Sequence, residues 1–153
     1  MRLLVIVLIL LLIQSCSNND PKRFDFVFIF GVGAKNELNT YDNAFTKDLV
    51  KGPSQTLALR LTDQEKQTIY NKLKEMHFTE LPDSNYRCNS FEPQESYRLS
   101  VQMDGHKKQV GWLGGLPDKG TCGALGEVDS LIITIIHNRD EFKHSMRERA
   151  GYM

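Results

Sequence analysis

The residues able to do covalent or metal chemistry are few: Cys16, Cys88 and Cys122, with His77, His106, His137 and His144. Thiolates and imidazoles at close spacing hold zinc, and a thiolate beside an imidazole makes a nucleophile. His77, Cys88, Cys122 and His137 show no C-x₂-C or H-x₃-H spacing, and His137 and His144 share a face only on a helix unbroken through Asn138. No metal is expected, and surface histidines account for the pattern. Cys88 or Cys122 with His106 or His77 could form a thiolate pair, but no nucleophile elbow or other local motif accompanies them. Gly115 and Gly120 have phosphate-loop spacing, yet Thr121-Cys122 stand where the lysine should follow. Gly31-Val32-Gly33 lacks the third glycine of a dinucleotide fingerprint and reads as a bulge or turn. No catalytic residue and no cofactor is assigned.

Cys16 stands apart from the other two cysteines. Leu3 to Ile13 is an uninterrupted run of Leu, Val and Ile behind Met1-Arg2. A helix needs about 20 apolar residues to cross a bilayer, so this run is short for a span and fits the apolar region of a signal peptide. Ile13-Gln14-Ser15-Cys16 resembles the lipobox of bacterial lipoproteins. The resemblance implies a signal peptide over 1–15, cleavage after Ser15, and acylation of Cys16. Two or three acyl chains hold a protein stably on a membrane at about 0.8 kcal/mol per buried CH₂. Residues 16–22 then read as the lipidated cysteine and a polar tether, and 23–153 as a single domain. The expected location is the outer side of the cell membrane, or the outer membrane if the organism has one.

Without Arg2 the chain carries 18 basic against 19 acidic residues and no basic stripe, which gives no reason to expect nucleic acid. An exported chain meets oxidising conditions, so Cys88 and Cys122 could pair, closing a loop of about 35 residues; two buried, inert thiols are the other arrangement.

The elements follow from periodicity. Phe24, Phe26, Phe28 and Phe30 alternate with Val27 and Ile29, which predicts a strand covered on both faces. The polar stretch from Lys35 reads as a loop before strands in "AFTKDLV" and "SQTLALRL". Thr62 and Glu65 form a capping box for a helix whose stripe is Ile69, Leu73 and Met76. Residues 83–96 read as an irregular connection. Tyr97, Leu99, Val101 and Met103 mark a strand, Asp104-Gly105 a type I′ hairpin, and Lys107 to Leu113 the return. Leu125, Val128, Ile132, Ile135 and Ile136 mark a second helix, with a charged helical end after Asn138. The order β-β-β-α-β-β-α predicts an α+β domain: an antiparallel sheet of about five strands with two main helices on one face.

Asn36, Asn39, Thr40, Tyr41, Lys47 and Asp48 offer more hydrogen-bonding groups than a connection needs. They read either as a binding loop on a rigid sheet or, more economically, as local side-chain-to-backbone bonding that holds a long turn. "GVGAKNELNT", "TKDLV" and "LTDQEKQTIYNKLKEMHF", together with the lipobox, resemble a set of small bacterial lipoproteins of uncharacterised activity, mainly from Firmicutes. The resemblance implies bacterial origin and surface location and assigns no activity. The expected function is a non-enzymatic, membrane-tethered module for an envelope protein or peptide, with an exposed aromatic patch around Trp112 and Tyr41. The alternatives are a small envelope enzyme using a cysteine or a carboxylate, and an inhibitor of an envelope enzyme.

Overall fold

The computed structural model describes residues 24–49, 52–88, 94–114 and 119–150, with backbone alone from residue 146. The expected signal peptide (1–15) and lipidated tether (16–22), and part of the glycine-rich loop before the second helix (115–118), lie outside the described residues. The chain folds as α+β, in the order β1 (Asp25–Phe30), β2 (Asn36–Asn39), β3 (Ala44–Lys47), β4 (Gln55–Ala58), α1 (Asp63–Glu75), a 3₁₀ turn (Phe78–Glu80), β5 (Asn85–Arg87), β6 (Ser96–Met103), β7 (His106–Leu113), α2 (Thr121–Asn138) and α3 (Asp140–Ala150).

Three features correct the expectation from sequence. The described sheet has seven strands, in the order β4-β3-β2-β1-β6-β7-β5, and it is mixed, because β5 runs parallel to β7. The two strands that periodicity missed are the least apolar: β2, "NELN", turns only Leu38 fully into the core, and β5 has three residues. Among the described residues there are also three α-helices, since Arg139 adopts an extended conformation (φ −74°, ψ 138°) and separates α2 from α3.

The third correction concerns β1. Phe26, Phe28 and Phe30 are buried, but Asp25, Val27 and Ile29 keep intermediate exposure, so one face of the strand is covered and the other is open. The covered face packs against Ile69 and Leu73 of α1 and Leu125, Val128, Ile132 and Ile136 of α2 in one apolar cluster. Phe28 stacks with Phe30, Tyr97 and Trp112 at centroid separations of 5.0, 6.2 and 6.2 Å, contacts worth about 0.5–1.5 kcal/mol each beyond the area they bury. Trp112, expected on an exposed patch, is 1% exposed and belongs to this core, because the even positions of β7 face the helices.

Local chemistry closes the elements. Thr62 accepts from the Glu65 amide and Glu65 from the Thr62 amide, completing the capping box of α1. Asp104 and Gly105 both take positive φ (52° and 79°), as the type I′ turn between β6 and β7 requires. The Asp104 carboxylate then accepts from Tyr70 (2.8 Å) and Lys74 (3.2 Å), tying that turn to α1.

Cys88, just beyond β5, is disulfide-bonded to Cys122 in the first turn of α2, with Cα atoms 5.4 Å apart. The bridge spans 34 residues and joins the outermost strand to a helix on the covered face. Loop-closure entropy gives such a bridge about 3–4 kcal/mol. Replacing both cysteines by serine should therefore lower the unfolding free energy of the oxidised protein in urea titrations by that order, with a lower midpoint, and a reducing agent should shift the parent protein but not the variant. Equal midpoints for parent and variant would show that the bridge is energetically idle.

Candidate functional site

The open face is built from the residues that alternate with the core set. Register places Val27 opposite Asn39 and Ser100, Ser100 opposite Gln109, and Arg98 opposite Gly111, which is itself opposite Asn85. These side chains project from the side of the sheet away from the helices. A groove of about 680 Å³ runs over this face, floored by Val27, Ser100, Gln109 and Gly111 and walled by Tyr41 on one side and Asp83–Asn85 on the other. That volume lies in the range of sites that take a small ligand or a short piece of a larger one.

Gly111 is required by the wall. A Cβ built there would lie 2.3 Å from Asn85 Oδ1, so the absent side chain is what lets β5 close over β7. Asp83 takes an ion pair from Lys108 at 2.6 Å, and the Ser100 hydroxyl donates to Gln109 Oε1 at 2.9 Å, which leaves the Gln109 amide nitrogen available as a donor. Tyr41 is 50% exposed, its hydroxyl 3.4 Å from the Asp25 carbonyl. Burial and the nearby Asp25 carboxylate raise its pKa, so the phenol stays protonated.

The residues expected as a binding loop are distributed differently. They belong to the β2–β3 hairpin, and most of their groups bond within the fold. Asn36 donates to the Phe30 carbonyl and accepts from the Asp48 amide. Asn39 Oδ1 accepts from the amides of Tyr41 and Asp42, an Asx turn. Thr40 is buried; its hydroxyl accepts from the Phe26 amide and lies 2.9 Å from Asp25 Oδ1. Lys47 lies over the Phe142 ring at 4.8 Å, and Asp48 pairs with Lys35 at 3.6 Å. Of the six, Tyr41 alone lines the groove.

The other cysteine and histidine positions are dispersed. Both Cys88 and Cys122 sulfurs are taken by the disulfide, His77 faces Glu80 at 3.2 Å, and His137 stacks on Phe142. Among the described residues no three His, Cys, Asp or Glu side chains gather as a metal site. The Gly31–Gly33 segment is a turn: the Ala34 amide bonds the Gly31 carbonyl at 3.0 Å, and Gly31 and Gly33 take positive φ.

Sequence reading overlooked Asp129. It lies four residues after Leu125 on the buried face of α2, where a carboxylate needs a partner, and that placement on an apolar stripe was the available signal. Asp129 is 3% exposed and accepts from the Trp112 indole at 3.2 Å and from Ser130 at 3.2 Å. Burial is the dominant influence and pushes its pKa up to about 6. Trp112 stacks on Tyr97 at 5.4 Å, and the Tyr97 hydroxyl donates to Glu95. This chain of groups lies on the covered side of the sheet and buttresses the floor of the groove from behind.

The sign of the pH dependence follows. The folded protein binds the Asp129 proton more tightly than the unfolded chain does, so the stabilisation is complete below about pH 4 and is lost as pH rises through about 6. Its ceiling is about 3 kcal/mol. Asp129→Asn keeps an acceptor for Trp112. It should gain stability over the parent protein between pH 5 and pH 8 in urea titrations, the gap widening with pH; a gap that is constant or reversed would refute the buried-carboxylate account. Compared with protein-family models, curated proteins and solved structures, the chain matches none.

Proposed function

We propose that this chain is a lipid-anchored, non-enzymatic binding module of the cell envelope, docking its ligand in the groove on the open face of the sheet. The observation that carries the reading is the one-sided sheet: helices cover one face, while the other presents a groove of about 680 Å³ lined by Tyr41, Asn85, Ser100 and Gln109. Rigid strands hold these side chains, as a binding surface requires. The lipobox-like Ile13–Cys16 supports the anchor, and a disulfide between Cys88 and Cys122 is what an exported chain acquires in an oxidising compartment. The enzyme alternative finds less support. A thiol mechanism needs a free Cys88 or Cys122, and Asp129, the carboxylate with the displaced pKa, is turned into the core against Trp112.

Two measurements test the parts separately. Intact mass of the membrane-extracted protein, with alkylation before and after reduction, should fit a chain starting at an acylated Cys16 with two thiols exposed only by reduction. An unprocessed chain with free thiols would sink the anchor. A photo-crosslinking side chain placed at Gln109 in living cells should give a discrete adduct, whereas one at Asn71, exposed on the outer face of α1, should give none. Equal labelling from both positions, or none from Gln109, would show that the open face is not the docking surface.

A further inference from the structure

We infer that the groove takes an extended acidic peptide segment, lying along β7 on a line of three cations; this rests on the open face being the docking surface. The line is set by register. Arg98 stands opposite Gly111, Arg87 is paired with Leu113, and Lys107 lies on β7 itself, four residues before Gly111. All three are exposed and project from the open face. At ~3.3 Å per residue the stripe from Lys107 to the level of Arg87 is about 20 Å long.

The charges on this side are unbalanced. Among the described residues Arg87, Arg98 and Lys107 have no ion-pair partner, in contrast to Lys108, which Asp83 neutralises, and to Lys35, Lys66 and Lys74, which are paired with Asp48, Asp25 and Asp104. Two acids among the described residues stand in the rows of these cations, each on the second strand over: Glu37, beyond Ile29 from Arg98, and Asp25, beyond Gln102 from Lys107 and already paired with Lys66. Glu95 bonds Tyr97 on the covered side. The uncharged groups between the cations include a donor as well: Gln109, paired with Ser100 across the open face, accepts through Oε1 and keeps its amide nitrogen as a donor. An occupant rich in acceptors and negative charge satisfies both sets.

The apolar part of the face selects the kind of polyanion. Val27 and Ile29 on β1 and Leu113 on β7 are part-exposed beside the cations, and Tyr41 closes the groove. An extended peptide shares the strand repeat of ~6.7 Å between same-side residues, so alternate side chains reach cations and aliphatic positions in turn. A phosphate polymer would offer nothing to the aliphatic positions.

The test uses the full-length acylated protein in detergent and a fluorescein-labelled peptide of about eight alternating Glu and Val residues, long enough to span the stripe. Anisotropy should report binding that weakens as salt rises from ~50 to ~500 mM. A Lys-Val peptide should not bind. Arg98→Ala should weaken the Glu-Val peptide about two- to fivefold, as one exposed ion pair allows, and Glu37→Gln should leave it unchanged or tighter. Joint reversal of Arg87, Arg98 and Lys107 to Glu should remove detectable binding while the thermal midpoint holds, since none of the three is in the core. The inference falls if the Glu-Val peptide does not bind, if the reversal variant binds it equally, or if long-chain polyphosphate binds where the peptide does not. An adduct from Gln109 that persists in the reversal variant would overturn the acidic ligand while leaving the docking face intact.

Discussion

Phe28 has no exposed surface and lies in ring contact with Phe30, Tyr97 and Trp112, drawing three strands of the sheet onto one aromatic centre. Everything else in the fold is arranged around this one-sided burial. Because side chains alternate along a strand, committing Phe26, Phe28 and Phe30 to the helices commits Val27 and Ile29 to the opposite side. Neither α1 nor α2 can serve both faces. The bare face is therefore a consequence of where the aromatic mass was placed, and it is the face on which a groove becomes possible.

The buried polar side chains Thr40, Asp129 and Ser145 each find a partner, whereas the buried Nε of Arg139 bonds nothing among the described residues. Thr40 joins the β2–β3 turn to β1 through the Phe26 amide, and Asp129 holds the indole of Trp112. Arg139, at the break between α2 and α3, reaches Glu65 at 3.4 Å, the Arg60 carbonyl at 3.0 Å and Glu141 at 3.1 Å. Glu65 thus caps α1 and anchors the helix junction at once. A buried donor or acceptor left unpaired costs about 1–3 kcal/mol, so these contacts specify which turn meets which helix as much as they stabilise it.

The groove depends on its weakest element. β5 has three residues, runs parallel to β7, its one partner strand among the described residues, and is fastened at its end by the Cys88–Cys122 bridge. Without a Cβ at Gly111 the strand can approach β7 closely, and Asp83 is held by Lys108. The wall is thus a short strand stabilised by a covalent bond, a missing side chain and an ion pair, while the floor is shared by the best-packed strands of the sheet.

Much of the framework was readable in order. The capping box at Thr62 and Glu65, the Asp104-Gly105 turn, the α1 and α2 stripes and the β6–β7 hairpin depend on residues close in the chain, so local chemistry determines them. β2 and β5 were not readable, because their stability comes from strands distant in sequence and not from their own apolar pattern. The candidate site was legible only in Tyr41: Asn36, Asn39, Thr40 and Asp48 looked like a ligand loop because their polar groups have no visible partners until the hairpin forms. Sequence by itself determined the elements, their caps and the periodicity that marks one face of each. Only the tertiary structure decided that Trp112 is buried, that Cys88 reaches Cys122, and that Arg87, Arg98 and Lys107 share one open face. Register between distant strands sets which side chains become neighbours, and no local pattern encodes it.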